Sequence, residues 1–130
     1  TRTTISSKLI EKELSYQLVG IVFVVDNELV GGYQEKYYQR AIAKALREKD
    51  LKFKEQVHVP LSYKGETIGR YFIDFLVEEK IVLEIKAAST LHLRDIKQVL
   101  AYLKSANIEL SILAGFNNNR VTYKRILKGN

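Results

Sequence analysis

Two acidic residues and a lysine between Tyr71 and Lys86 have the types and the spacing of a metal-binding site. Asp74 lies in one apolar run, Glu84 lies in the next, and Lys86 follows two residues later. Carboxylate oxygens a few ångströms apart are the ligands that Mg²⁺ and Mn²⁺ prefer. A nearby ammonium could orient a water molecule or offset the charge that develops on a phosphate. The three residues therefore predict metal-assisted chemistry on a phosphate.

The two apolar runs that carry these residues, Tyr71 to Val77 and Ile81 to Ala87, predict a β-hairpin. Both runs are rich in β-branched and aromatic residues, and the polar triplet Glu78 to Lys80 separates them. Side chains alternate between the faces of a strand, so one face of the hairpin is expected to be wholly apolar. The residues expected on that face are Ile73, Phe75, Val77, Ile81, Leu83 and Ile85.

The length of the hairpin loop decides which residues face each other. A three-residue loop makes the pairing symmetric about Glu79 and places Asp74 opposite Glu84, with Lys86 on the same face as Glu84. Opposed like charges cost roughly 0.2 to 1 kcal/mol at an exposed pair, so a cation is expected to compensate them. A two-residue turn would place Asp74 opposite Leu83 instead. Lys86 could also merely bridge two surface carboxylates at a sheet edge.

The composition is that of one ordinary globular domain. The chain has 130 residues, 46% hydrophobic and 28% charged, so we expect a single domain over residues 1–130. Its net charge of +6 favours a polyanionic partner such as nucleic acid. The absence of cysteine excludes disulfides and thiolate metal sites. The longest apolar run, Leu18 to Val25, is too short for a membrane helix, so we expect a cytoplasmic protein without a membrane partner.

The periodicity of apolar residues predicts an α/β domain with the element order ααβββαββ. It indicates a first helix that ends near Val30, a second from about Tyr33 to Glu48, and a third between Leu91 and Ala106. Pro60 cannot donate to a β-ladder, so the strand before the hairpin is expected at an edge. A helix between strands three and four implies a crossover between parallel neighbours, and hence a mixed sheet flanked by helices.

Two further polar residues lie on helices that could bring them to the hairpin. Glu35 lies three residues before the inward-facing Tyr38, one turn in from the predicted start of the second helix. A carboxylate there could equally serve to stabilise the helix N-terminus through the helix dipole. Gln98 lies beside the apolar stripe of the third helix, where it could reach the sheet or be a structural amide.

A known enzyme superfamily has the same hairpin pattern. Asp74 followed by Glu84-x-Lys86 resembles the signature of the PD-(D/E)XK nucleases. The resemblance spans about Leu14 to Leu127. It implies the restriction-endonuclease-like α/β fold, in which helices flank a mixed β-sheet.

Three further stretches are similar to one branch of that superfamily, the GxxExxY family. The segment GYQEKYY supplies Gly32, Glu35 and Tyr38 in the pattern that names this family. The segment SYKG precedes the strand that carries the aspartate. Gln98 and Tyr102 match a QxxxY helix seen in some branches of the nucleases. The chain thus resembles a GxxExxY protein.

The resemblance implies a set of site residues and an activity. Asp74, Glu84 and the backbone carbonyl of Ile85 would hold Mg²⁺ or Mn²⁺. Lys86 would activate or orient the attacking water. Glu35 and Gln98 would support the metal ion or the water from the flanking helices. Glu35 would either lie behind the direct ligands or bind a second metal ion. The implied reaction is hydrolysis of phosphodiester bonds in nucleic acid, with DNA rather than RNA as the expected substrate.

Two positions depart from the GxxExxY pattern. The family often has histidine where this chain has Asp26 and Asp95, which could alter the rate or the substrate and would leave the metal ligands intact. A different class of function stays open from the sequence, namely a catalytically silent module that binds nucleic acid or protein on the same fold. Because 130 residues offer little surface for gripping a duplex, a homodimer is one expected arrangement.

Overall fold

The computed structural model describes residues 11–129 of the chain. In this region three α-helices and five β-strands follow in the predicted order ααβββαββ, and none of these helices is long and apolar enough to cross a membrane. The helices are α1 (Lys12–Leu29), α2 (Glu35–Glu48) and α3 (Leu93–Ala106). The strands are β1 (Phe53–Tyr63), β2 (Glu66–Val77), β3 (Ile81–Ala87), β4 (Leu110–Phe116) and β5 (Thr122–Leu127).

One mixed sheet contains these five strands in the order β1-β2-β3-β4-β5. β3 and β4 are parallel and α3 lies between them in the chain, whereas the other neighbours are antiparallel. The prediction of a mixed sheet with a helical crossover between strands three and four is therefore confirmed. β1 lies at an edge, as the proline within it predicted.

Helices cover both faces of the sheet and bury two apolar clusters. On the first face, α1 and α2 pack against the sheet through residues that include Leu18, Val22, Ile42, Leu46, Phe75, Leu83 and Ile112. On the second face, α3 packs against the sheet through residues that include Val99, Leu103, Ile73, Val82 and Leu113. β3 and β4 are thus buried on both faces, which explains why their sequences are nearly continuous apolar runs.

The β2–β3 hairpin has the register predicted for a three-residue loop. Glu78 and Glu79 turn the chain with φ angles of 53° and 59°. The two-residue turn that would have placed Asp74 opposite Leu83 is therefore excluded. Asp74 and Glu84 come directly after the last pair of the ladder. The pairs are Val77 with Ile81, Leu76 with Val82, and Phe75 with Leu83.

The prediction of one wholly apolar hairpin face is wrong at Ile73. Phe75 packs in the cluster under α1 and α2, whereas Ile73, two residues earlier, packs in the cluster under α3. On the neighbouring strand, Gln56 has a φ of 51°, and the β1–β2 ladder skips the pair that Gln56 and Asp74 would form. The two strands therefore change faces here, and Asp74 lies where β2 passes from one layer to the other.

Two helices begin later than the periodicity predicted. α2 begins at Glu35 rather than near Tyr33, so Glu35 is its first residue and does not lie one turn in. α3 begins at Leu93 rather than at Leu91, after an extended His92. Helix ends depend on how the terminal N–H groups are satisfied, and apolar periodicity does not report this.

The loop between α1 and α2 is held against the turn between β4 and β5. Gly31 has a φ of 74°, and a Cβ atom there would lie 2.8 Å from the backbone oxygen of Asn117. Asp26, buried near the end of α1, accepts a hydrogen bond from the N–H of Val121 at 3.1 Å. These contacts position the start of α2, and therefore Glu35, relative to the sheet.

Replacing Gly31 by alanine should destabilise the protein. The added Cβ atom would clash with backbone, and alanine disfavours a positive φ, so we expect a loss of about 1 to 3 kcal/mol in the free energy of unfolding. Gly20→Ala is the matched control, because nothing lies within 4 Å of a Cβ atom at that helical position. It should stabilise by about 0.5 to 1 kcal/mol. Urea unfolding measures both changes, and equal effects would contradict this account of Gly31.

Candidate active site

Asp74 and Glu84 face each other where β2 and β3 stop pairing. Each carboxylate accepts a hydrogen bond from the backbone of the opposite strand. The N–H of Asp74 donates to Oε1 of Glu84 at 2.8 Å, and the N–H of Ile85 donates to Oδ2 of Asp74 at 2.8 Å. The side chains thus take the place of backbone carbonyls as acceptors at the end of the ladder. The opposition of the two acids that the hairpin register predicted is present.

Both members of this acid pair are buried. The exposed fraction is 8% for Asp74 and 2% for Glu84. A buried carboxylate is costly in its charged form unless hydrogen bonds or an opposite charge compensate it. The hydrogen bonds to the pair supply part of this compensation, and a proton or a cation is needed for the rest.

Helix α2 brings two polar side chains to the pair. Glu35 and Gln39 are four residues apart and therefore lie one above the other on the helix. Nε2 of Gln39 donates to Oδ1 of Asp74 at 3.0 Å, and Oε1 of Glu35 accepts from the N–H of Ala87 at 3.2 Å. The charge of Glu35 also raises the pKa of both members of the acid pair. α2 thus contributes a third acid close to the pair.

Lys86 follows Glu84 on β3 and is half-buried. Burial raises the pKa of both members of the acid pair, and the positive charge of Lys86 opposes part of that rise, so its ammonium lies near them. None of the ion pairs within 4 Å in the described part of the chain involves Lys86. The ammonium is therefore available for contacts with a substrate or with water.

Burial and repulsion favour a proton on the acid pair. Burial, followed by the charge of Asp74, raises the pKa of Glu84 from 4.5 to about 8. Burial also raises the pKa of Asp74, against the hydrogen bond from the N–H of Ile85, which lowers it. Without a cation, a proton bound to the acid pair is therefore favoured at neutral pH, and a divalent cation would compete with that proton.

Sequence reasoning missed three polar side chains of this region as site residues. Tyr102 on α3 is buried, and burial followed by the charges of the acid pair raises its pKa. Burial raises the pKa of Asp74, and the side chain of Gln56 opposes part of that rise. The spacing of Gln39 from Glu35 was a usable signal, since residues four apart share a helix face. Gln56 carried no signal, because its contact depends on a backbone irregularity at that residue.

Gln98 lies on α3, one turn before Tyr102, and is half-buried. In the described region the hydrogen bonds to the acid pair come from other residues and none comes from Gln98. The expected role of Gln98 therefore rests on the resemblance and on its helix face.

The donor atoms at the acid pair suit a small divalent cation. Two carboxylates and a backbone carbonyl are hard oxygen ligands, the type that Mg²⁺ and Mn²⁺ bind. The N–H of Ile85 points at Asp74, and in a strand the C=O of the same residue points to the same side. Within residues 11–129, no three His, Cys, Asp or Glu side chains converge closely enough to hold a metal ion. The carbonyl would therefore supplement the two acids, and Glu35 lies outside this set.

The two aspartates that depart from the family pattern have structural contacts. Oδ2 of Asp26 accepts the hydrogen bond from Val121, and its Oδ1 is buried without a hydrogen-bond partner in the described region. Oδ2 of Asp95 accepts a hydrogen bond from the N–H of His92 at 2.9 Å and so caps α3. Both side chains hold helix ends in place.

Sequence comparison places the chain in a known superfamily. A sequence profile of the PD-(D/E)XK nuclease superfamily matches residues 12–126, which include the acid pair, Lys86 and both helices that flank them. The chain belongs to the PD-(D/E)XK nuclease superfamily. Nucleases of this superfamily typically use divalent metal ions. No curated protein sequence matches the chain.

Two solved structures share the fold. The crystal structure of SSO0001 has a TM-score of 0.57 and 19% sequence identity, and the match covers 73% of this chain and 50% of that one. The crystal structure of an alkaline exonuclease (LHK-Exo) from Laribacter hongkongensis has a TM-score of 0.53 and 14% sequence identity. The match covers 72% of this chain and 55% of that one. The chain thus spans about half the length of these solved proteins. The likeness confirms the restriction-endonuclease-like fold expected from the sequence.

The stability of the metal-free protein should fall as the pH rises from about 4.5 to about 8. Over this range the folded protein keeps a proton on Glu84 that the unfolded chain releases, so a rising pH favours unfolding. Glu84→Gln cannot titrate and keeps an oxygen that can accept the hydrogen bond from Asp74. Its stability should depend less on pH. Thermal unfolding in EDTA at closely spaced pH values measures both slopes.

Glu48→Gln is the control for this comparison, because it removes one negative charge from an exposed position on α2. Its slope should match that of the wild type. If the wild type and Glu84→Gln instead have the same slope, Glu84 is ionised in the folded protein throughout the range, and the account of the acid pair is wrong.

Proposed function

We propose that the chain is a metal-dependent nuclease that hydrolyses phosphodiester bonds of DNA. The observation that carries this proposal is the buried acid pair, Asp74 and Glu84, which has no ion-pair partner within 4 Å in the described region. Two carboxylates in this environment lower the stability of the metal-free protein at neutral pH. Perturbed acids of this kind are concentrated at functional sites, where the perturbation serves the chemistry.

Asp74 and Glu84 would hold Mg²⁺ or Mn²⁺ together with the carbonyl of Ile85. The bound ion would supply Lewis-acid chemistry, activating water and stabilising negative charge on the phosphate. Hydrogen bonds from Ile85 and Gln39 orient the carboxylate of Asp74 for this role. The N–H of Asp74 orients Glu84 in the same way.

Three further residues would act around the ligands. The ammonium of Lys86 would orient the attacking water and offset charge on the phosphate, since it is not paired with a carboxylate in the described region. Glu35 would bind a water molecule without being a ligand of the first ion, or it would hold a second ion. Gln98 would support the water from α3.

Nucleic acid is the substrate that suits the charge of the chain. Lysine and arginine outnumber aspartate and glutamate by 21 to 15. Basic residues attract the phosphate backbone, and this attraction supplies much of the affinity of nucleic-acid-binding proteins. A small acidic site within a basic chain is what a metal-dependent phosphodiesterase needs. DNA is the substrate that the resemblance implies.

We propose that the chain belongs to the GxxExxY branch of the superfamily, and the start of α2 supports this proposal. Gly32 has a φ of 76°, which glycine adopts readily, just before the helix. Glu35 is the first residue of α2 and reaches the end of β3. Tyr38 is buried, stacks on Phe116 with ring centroids 4.3 Å apart, and accepts a hydrogen bond from the N–H of Tyr33 at 3.3 Å. The three motif residues thus act together in seating α2 on the sheet, which supports the assignment.

Lys86→Ala should lower cleavage strongly and leave Mn²⁺ binding intact. Loss of a group that assists proton transfer costs about 100- to 10,000-fold in rate, and lysine is not a ligand of the ion. Asp74→Asn should lose both cleavage and Mn²⁺ binding, because one charged ligand is gone. Cleavage of labelled DNA and calorimetric titration with Mn²⁺ measure the two properties separately.

Lys44→Ala on the exposed face of α2 is the control for the loss of one positive charge, and it should cleave like the wild type. Cleavage by Lys86→Ala at the wild-type rate would remove Lys86 from the mechanism. A wild type that binds DNA but neither takes up Mn²⁺ nor cleaves would be a silent binding module on the nuclease fold.

A further inference from the structure

The outer parts of β1 and β2 form a two-stranded arm beyond the pairing with β3. β2 pairs with β3 only from Phe75 to Val77, whereas β1 and β2 stay paired as far as Tyr63 and Glu66. One face of the arm packs into the cluster under α3 through Val57, Val59, Tyr71 and Ile73. The residues between these belong to the opposite face.

The opposite face of the arm continues directly from the acid pair. Gln56 lies close enough to Asp74 to oppose the rise that burial causes in the pKa of Asp74. One step outward, His58 pairs with Phe72, and their ring centroids lie 5.7 Å apart. Consecutive residues on one face of a strand are about 6.6 Å apart, so these rings lie next to the site. The arm row, as we call this face, consists of the pairs His58 with Phe72 and Pro60 with Arg70, and it begins one step beyond the unpaired position of Gln56 and Asp74.

Phe72 is the exposed aromatic residue nearest in sequence to the acid pair. Its side chain is 49% exposed, although Asp74 two residues away is 8% exposed. Phe72 belongs to neither apolar cluster of the described region. Its ring therefore contributes little to the core and offers a flat apolar surface beside the site. Such rings are the usual platforms for the bases of single-stranded nucleic acid.

Exposed cationic side chains lie on the arm and on helix α2. Arg70 is exposed at the next outward position of the arm row. On α2, Lys36 and Arg40 are exposed and directly follow Glu35 and Gln39, the residues that contact β3 and Asp74. Phosphates of a strand that crosses the site would therefore meet positive charge from the arm and from the helix.

We propose that Phe72 stacks on a base of single-stranded nucleic acid and makes the site prefer single strands. The inference rests on the proposed nuclease function and adds the substrate class. In a duplex, each base face is covered by its neighbours, so an aromatic side chain has to unstack a step before it can contact one. A single strand presents its base faces without this cost. The cations then hold the phosphates while Phe72 holds a base.

Binding in EDTA at one fixed salt concentration tests the inference without cleavage. A labelled single-stranded oligonucleotide and its duplex are titrated with each variant, and thermal melting checks that each variant is folded. Phe72→Ala should weaken single-strand binding about 5- to 150-fold, the loss of one stacked base, and weaken duplex binding less than about twofold. Phe72→Tyr should keep the affinity, and Phe72→Leu, which is apolar without a ring, should not. Tyr123→Ala, at a 43% exposed ring on β5, should match the wild type.

An abasic strand of the same length separates stacking from phosphate contacts. The wild type and Phe72→Ala should bind this strand equally, because neither can stack on it. A persistent difference would mean that Phe72 acts through the shape of the arm, and the inference would be overturned. Wild-type affinity of Phe72→Ala for the normal single strand, or equal losses for single strand and duplex, would overturn it as well.

A cleavage assay with Mg²⁺ or Mn²⁺ keeps this inference distinct from the proposed function. If the wild type does not cleave but Phe72→Ala still weakens single-strand binding, the proposed nuclease function is wrong and the stacking role of Phe72 stands. If the wild type cleaves but Phe72→Ala does not weaken single-strand binding, only the stacking role of Phe72 is wrong.

Discussion

The site depends on one exchange of hydrogen bonds, in which Asp74 and Glu84 accept N–H groups from opposite strands. These bonds fix two carboxylates at the point where β2 and β3 separate, and they turn the backbone of Ile85 toward the same point. Burial and the nearby negative charges disfavour ionisation of both acids. The fold therefore maintains a pair of acids that is most stable when a proton or a cation neutralises part of its charge, which is the property a metal-dependent hydrolase requires.

The elements around this strand end position it and bury it. β3 pairs with β4 on its other side, and apolar clusters cover both of its faces, so the backbone that carries Glu84 has little freedom. α2 approaches through Glu35 and Gln39, and its start is held in turn by the close contact between Gly31 and Asn117. α3 closes the second face. Exposed cations lie on α2 and on the arm.

The order of the elements and the pairing of the sheet were predictable, whereas helix starts and individual side-chain contacts were not. The polar triplet Glu78 to Lys80 between two apolar runs favours one symmetric pairing, and the hairpin has it. The sequence pattern placed Ile73 on the wrong face of the hairpin. The strands change faces next to Gln56, which lies on the neighbouring strand β1, so the pattern of β2 alone does not show the change. The spacing of Gln39 from Glu35 indicates a shared helix face, but it does not indicate the bond from Gln39 to Asp74, which lies 35 positions away. The resemblance supplied the roles of the acids, whereas their burial and hydrogen bonds required the fold.

Anomalous scattering from crystals soaked in Mn²⁺ tests the central claim most directly. The account predicts a peak between Asp74 and Glu84, about 2.1 Å from an oxygen of each and from the carbonyl of Ile85. The same soak of Asp74→Asn crystals should lose that peak, because a neutral amide replaces one charged ligand. A wild-type peak found only at other residues, or no peak while the acid pair is well ordered, would contradict the account.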